Sequence, residues 1–206
     1  MPKASNDLIL RDRLQFDFAS GGDRTTLYGR LDLSDYVNVV KKDGLSIKEI
    51  MIMPRIPTGE DGAGLQTLTN TGAFFPYMSG DAGGNTDAFS VLKIYGTTRA
   101  YQNASDVGIA SPDVLCVEEY YSFYTASTAT PGNESFGMTH IRYGPADLHP
   151  DGFLVVSDLL IGVAADNVKN GNLGDITCEL DIMLIAEPVK ITQARLDELL
   201  AQAQDL

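Results

Sequence analysis

Apolar and polar residues alternate through eight stretches of this chain. The cleanest covers residues 176–187, where Ile176, Cys178, Leu180, Ile182, Leu184 and Ala186 share one parity and Thr177, Glu179, Asp181 and Glu187 lie between them. A period of two marks a strand with one wet face, because successive side chains point to opposite sides of the pleat. Residues 8–18 repeat the pattern with Leu8, Leu10, Leu14, Phe16 and Phe18 on one side, broken only by Asp12. Residues 26–33 set Leu27, Leu31 and Leu33 against Thr26, Tyr28, Arg30 and Asp32. The short Ser20-Gly21-Gly22-Asp23 turn between these two stretches predicts a hairpin.

The third stretch, 45–53, begins with Leu45 and Ile47 inward and slips by one residue at Lys48-Glu49, so that Ile50 and Ile52 continue the apolar side. That slip predicts a β-bulge. Pro54 and Pro57, which donate no backbone hydrogen bond, are expected to end the ladder. The remaining strands are predicted over 89–98, 114–124, 137–143, 153–163 and 176–187. No amphipathic helix lies between strands to carry the crossover of a parallel pair, so an eight-stranded antiparallel sandwich of two packed sheets is expected. Length fits one domain, placed at 1–190.

After Pro188 the period changes. Thr192 suits a helix N-cap, Ile191 and Leu196 occupy staple positions, and Leu196, Leu199 and Leu200 form a narrow stripe at helical spacing. A short helical tail is therefore predicted at 191–206. Such a helix is marginal alone in water, so its stripe needs a surface, either its own sandwich or an adjacent subunit. The connection 58–88 is long and rich in Gly, Thr, Asn and Asp, yet Phe74, Phe75, Pro76, Tyr77 and Met78 interrupt it with an apolar cluster. Long connections usually perform a task, and this cluster is a candidate contact with the sandwich or with a neighbouring subunit.

The charge of −13, from 28 acidic and 15 basic residues, narrows the function. Binding phosphates directly needs clustered Lys and Arg, and the adjacent basic pair Lys41-Lys42 runs at once into Asp43. No direct nucleic-acid contact is expected. No run approaches the roughly 20 apolar residues of a membrane-spanning helix, and the opening residues do not read as a signal peptide. Cys116 and Cys178 both fall in predicted strands and read as buried thiols; a disulfide between facing sheets depends on a distance that sequence does not contain.

Candidate chemistry is thin. His140 and His149 form no metal-binding pair, and neither a GxSxG elbow, a P-loop nor a GxGxxG turn is present. Glu118-Glu119 is a pair of carboxylates, but strand neighbours point to opposite faces, which places one in solvent and the other at an edge or interface. The acidic loop 81–87 lacks the spacing of a calcium loop, and the glycosylation patterns at Asn103 and Asn133 are as frequent as chance allows. No catalytic, cofactor or metal site is expected, and the chain does not read as an enzyme. Tyr120, Tyr121, Phe123 and Tyr124 cluster at one strand end, where they fill the sandwich, cover an interface or stack on sugars.

Eight strands, unequal long loops, no enzyme motif and a C-terminal appendage make the chain resemble the single jelly-roll major capsid proteins of tailless icosahedral viruses, some of which enclose a membrane. The resemblance covers about 8–187 and is one of architecture. It implies an eight-stranded jelly roll and a virion structural protein, made in the host cytoplasm and located in the capsid shell. Such a protein self-associates into capsomers through edges, loops and tail, with copies of itself or with a second capsid protein. The interface candidates are then Phe74, Phe75, Tyr77, Met78, Tyr120, Tyr121, Tyr124, Leu196, Leu199 and Leu200. Competing readings are a tail-tube, decoration or spike protein, a carbohydrate-binding sandwich, and a cupin-like enzyme.

Overall fold

The computed structural model describes residues 7–18, 24–55, 88–125, 135–168 and 177–204. In chain order these form β1 (Leu8–Asp17), β2 (Arg24–Leu31), β3 (Asp43–Arg55), β4 (Ala88–Thr97), a 3-10 turn (Ala104–Asp106), β5 (Val114–Thr125) and β6 (Ser135–Tyr143). They continue with α1 (Pro145–Leu148), β7 (Phe153–Val155), β8 (Leu159–Asp166), β9 (Thr177–Lys190) and α2 (Gln193–Gln204). The strands build a four-stranded sheet in the order β1-β9-β3-β7 and a five-stranded sheet in the order β2-β8-β4-β5-β6.

Pairing is antiparallel and nested. β1 pairs with β9, β2 with β8, β3 with β7 and β4 with β5, as though one long hairpin had been rolled into two layers. That order is the jelly roll of two Greek keys. β6 adds a ninth strand to the free side of β5. The inner faces meet in one apolar core in which Leu45, Ile47, Ile50, Leu92, Ile94 and Ile161 are completely buried. Burial of each such side chain stabilises the sandwich by roughly 1.5–3 kcal/mol.

The predicted slip in the third stretch is present as a register shift between Ile47 and Glu49. The predicted hairpin is not: β1 and β2 lie in different sheets, and the turn at 20–23 lies outside the described residues. Alternation identifies which side of a strand is apolar, and both strands satisfy it equally well from opposite layers. The predicted strand 153–163 divides into β7 and β8, one in each sheet, with Val156-Ser157-Asp158 making the step. Pro54 does not end β3 but pairs with Leu180 inside it. Since β7 spans only Leu45 to Ile47, the far half of β3 has one neighbour among the described strands, and a missing N–H on the other side costs nothing there; Pro57 lies outside the described residues.

Both cysteines are buried and no disulfide joins them. Burial pushes the Cys116 thiol up to about 12, which makes it a poor nucleophile. At the C-terminus the backbone N–H of Arg195 donates to the Thr192 hydroxyl at 3.4 Å, and Ile191 and Leu196 are both buried. The helix therefore closes onto its own sandwich, where Leu199 joins Arg99, Pro112, His149 and Phe153 around a cavity of about 150 Å³.

Candidate functional site

Inner-face residues of β5 alternate as Cys116, Glu118, Tyr120, Ser122 and Tyr124, and the partners of the first four, Gly96, Ile94, Leu92 and Ser90, share that side of β4. Glu118 is thus drawn inside and is 1% exposed, which corrects the expectation of an edge or solvent position. Arg142 of β6 stands opposite it and forms an ion pair with Nε 3.1 Å from Oε1. Tyr120 donates its hydroxyl to Glu118 Oε2 at 3.2 Å, and His140 Nε2 lies 3.3 Å from the same oxygen. The His140 ring stacks on Tyr120 at 4.2 Å between centroids. Arg142 also reaches across the sandwich and donates to the backbone carbonyl of Ile50, on the half of β3 that β7 leaves open.

This cluster closes the side of the sandwich. A carboxylate taken out of water needs a paired charge and hydrogen bonds. Arg142 supplies the charge beside Oε1, which has no hydrogen bond of its own among the described residues, while Tyr120 and His140 contact Oε2. Burial is also the main reason that Tyr120 holds its proton far above the ordinary phenol range. No group of three or more potential metal ligands occurs among the described residues.

The outer face of the five-stranded sheet has two different halves. Over one half the 98–113 connection folds down on Tyr95, whose hydroxyl donates to that of Tyr28 at 2.9 Å. Tyr28 in turn accepts from the backbone N–H of Tyr101 at 2.7 Å. Asp113 anchors the connection by accepting from the Tyr101 hydroxyl at 2.5 Å and pairing with Arg99 at 2.9 Å. Lys93 Nζ donates to the carbonyls of Ala104 at 3.1 Å and Val107 at 2.5 Å. Gly162 makes this closure possible, since a Cβ there would lie 2.3 Å from the Tyr95 ring.

Across the other half, Phe89, Phe123 and Ile141 stand exposed, and Tyr143 is exposed on the β6 edge beside Val117. The Phe123 ring lies over Gly137 on the neighbouring strand, so close that a Cβ would fall 2.1 Å from it. Phe89 and Tyr121 rings pack at 5.7 Å. The Tyr121 hydroxyl donates to the carboxylate of Glu119, and this bond with partial burial pushes the phenol up to about 12. Between the halves, Tyr121, Glu119, Lys93, Asn103 and Asp166 line an open groove of about 890 Å³.

The outer face of the four-stranded sheet is mixed. Arg13 and Arg55 hold Asp181 at 2.7 and 2.9 Å, while Ile9 and Met53 are exposed beside them.

Among the interface candidates, Tyr124 and Leu196 are buried within their own chain, and Tyr120, Tyr121 and Leu199 are partly covered. Leu200 lies within α2. Phe74, Phe75, Tyr77 and Met78 fall outside the described residues. Sequence reasoning missed Phe89 and Ile141 as surface residues; the parity of Phe89, Val91, Lys93 and Tyr95, opposite to that of Leu92 and Ile94, was the available signal.

No protein-family profile and no curated protein sequence matches the chain. Among solved structures it is similar to VP1 of Trichodysplasia spinulosa-associated polyomavirus in complex with 3'-sialyllactose, at 8% identity and TM-score 0.38 over 91% of this chain and 98% of that one. It is also similar to the unassembled VP1 pentamer of Merkel cell polyomavirus, at 10% identity and TM-score 0.32 over 87% and 94%. Desmodium yellow mottle tymovirus is similar at 10% identity and TM-score 0.28 over 94% and 88%. The likeness to these viral capsid proteins is one of fold alone, and the jelly roll itself is read from the nested strand pairing.

Proposed function

We propose that this chain is a virion structural protein, the subunit of an icosahedral capsid that assembles through its sandwich edges, loops and tail. A jelly roll serves viral shells, lectin domains and cupins, so the fold narrows the choice to three classes and the surfaces must choose among them. Cupins work inside the roll. Here the inside is filled by fully buried aliphatic side chains and by the Glu118-Arg142 ion pair. The observation that carries the reading is the exposed Phe89, Phe123 and Ile141 on one half of an outer sheet face whose other half the chain covers itself. Exposed apolar groups gathered on one face mark a surface made to be covered.

In this reading residues 1–190 are the building block and 191–206 a tail that docks on it, and the protein resides in the virion shell after synthesis in the host cytoplasm. The acidic surface keeps unassembled subunits apart and leaves the genome untouched. Neighbours are copies of the same chain, joined in the shell by a second capsid protein, with the 74–78 cluster and Tyr121 as further contacts. Electron microscopy of the purified chain, titrated in concentration and salt, tests this: closed shells or regular capsomers are expected. A species that stays monomeric under all conditions while binding a sugar saturably would replace the reading with a carbohydrate-binding one.

A further inference from the structure

The sandwich has four sheet edges among its described strands, and three are guarded against pairing. β7 is three residues long. β1 carries Arg11, Asp12, Arg13 and Asp17, and β2 is broken by a register shift between Arg24 and Leu27. Short strands, charges and bulges are the usual protections of an exposed edge. β6 has none of them: it runs nine residues in unbroken register with β5, contains no proline, and carries one formal charge, Arg142.

We propose that β6 is a self-pairing edge, which joins two copies of this chain antiparallel about a two-fold axis and makes a continuous ten-stranded sheet. This deepens the assembly reading, on which it rests, by naming the contact and its partner. The register follows from geometry. A two-fold perpendicular to the sheet keeps inner faces on one side, so each residue must oppose one of its own parity, and the axis must pass beside a residue. Centring on Thr139, the middle of β6, pairs all nine residues of the strand. Ile141 of each copy then faces Gly137 of the other, the position over which Phe123 lies. Two exposed apolar side chains, Ile141 and Phe123, thereby cover each other twice across the axis. Arg142 falls opposite position 136, so no like charges meet. A second copy is the fitting occupant because the one long unguarded edge among the described strands is matched by an identical one.

Thr139→Cys tests the register. Opposed residues in an antiparallel pair sit about 4.5 or 5.5 Å apart at Cα, within the roughly 4.4–6.8 Å span of a disulfide. The native cysteines are buried and do not compete. Under mild oxidation the variant should run as a covalent dimer, whereas Gln15→Cys on the β1 edge should not. Ile141→Lys should weaken dimerisation by at least about tenfold in sedimentation, with an unchanged melting temperature at a dilution where both proteins are monomeric. Cross-linking of Thr139→Cys no greater than that of Gln15→Cys, or an Ile141→Lys protein that sediments as wild type, overturns the proposal. Shells that form without the Thr139→Cys cross-link remove this contact and keep the capsid reading. Cross-linked dimers that never grow larger keep this contact and remove the capsid reading.

Discussion

Tyr95 and Phe123 lie on the same outer face of the same sheet, on adjacent strands, and each packs its ring over a glycine of the next strand. Tyr95 is 0% exposed and Phe123 is 46% exposed. The difference is not in the residues, which are aromatic in both places, but in what lies above them. Over Tyr95 the chain spends the whole 98–113 connection, tied down by Asp113, Arg99 and Lys93. Among the described residues nothing comparable lies over Phe123, and there the described sheet ends in β6, an edge without the usual protections. One half of the face is finished by the folding of a single chain; the other half has the composition of an interior and the exposure of a surface. Under the proposed capsid function, this bare half is where assembly would complete what folding leaves open.

Replacing the two rings should separate the halves most widely. Tyr95→Ala is expected to cost about 3–5 kcal/mol of stability in a denaturant titration, the price of emptying a packed aromatic site. Phe123→Ala should stay within about 0.5 kcal/mol in the same titration and instead reduce self-association. Equal losses at the two sites would break the comparison. On the inner side of the bare half, Arg142→Met should destabilise by about 3–5 kcal/mol because it strands the buried Glu118 carboxylate. The double variant with Glu118→Leu should recover most of that loss.

The two glycines sharpen the contrast further. Gly162→Ala should cost about 1–3 kcal/mol, since the Tyr95 ring cannot retreat under its covering loop. Gly137→Ala carries the tighter nominal clash, 2.1 Å, yet should cost less than Gly162→Ala because the exposed Phe123 ring is free to swing away.

The smallest effect is expected on the opposite sheet. Burial alone would raise the Asp181 carboxyl, but hydrogen bonds from Arg13 and Arg55 outweigh it and hold the group below its usual range. A lowered folded value means that the stabilisation is complete above the unfolded value and is lost as pH falls through the folded one. Asp181→Asn should therefore cost no more than about 1 kcal/mol at neutral pH. The gap from wild type should close in acid, and a gap that widens as pH falls would contradict the assignment.

Much of this was legible in the sequence. Strand faces, the slip at Lys48-Glu49 and the helix start at Thr192 are local properties, and local periodicity and capping record them. Partners are not local. The hairpin expected of the first two strands fails because alternation is blind to which layer a strand joins, and the 153–163 run hides a change of sheet within an almost unbroken apolar sequence. Pro54 is tolerated because β7 is short, and β7 is distant in sequence. Glu118 shares its parity with Cys116 and Tyr120, so its inward position was present in the pattern, but its counter-ion Arg142 sits on another strand. The bare half was harder still, because exposure is decided by what the rest of the chain fails to cover.

Amide hydrogen exchange across Ser135–Tyr143, compared between dilute monomer and assembled protein, tests the central claim most directly. Alternate amides of β6 should exchange freely in the monomer and become protected on assembly, with Thr139 at the centre of the protected segment. Fast exchange at those amides in the assembled protein, or full protection already in the monomer, would contradict it.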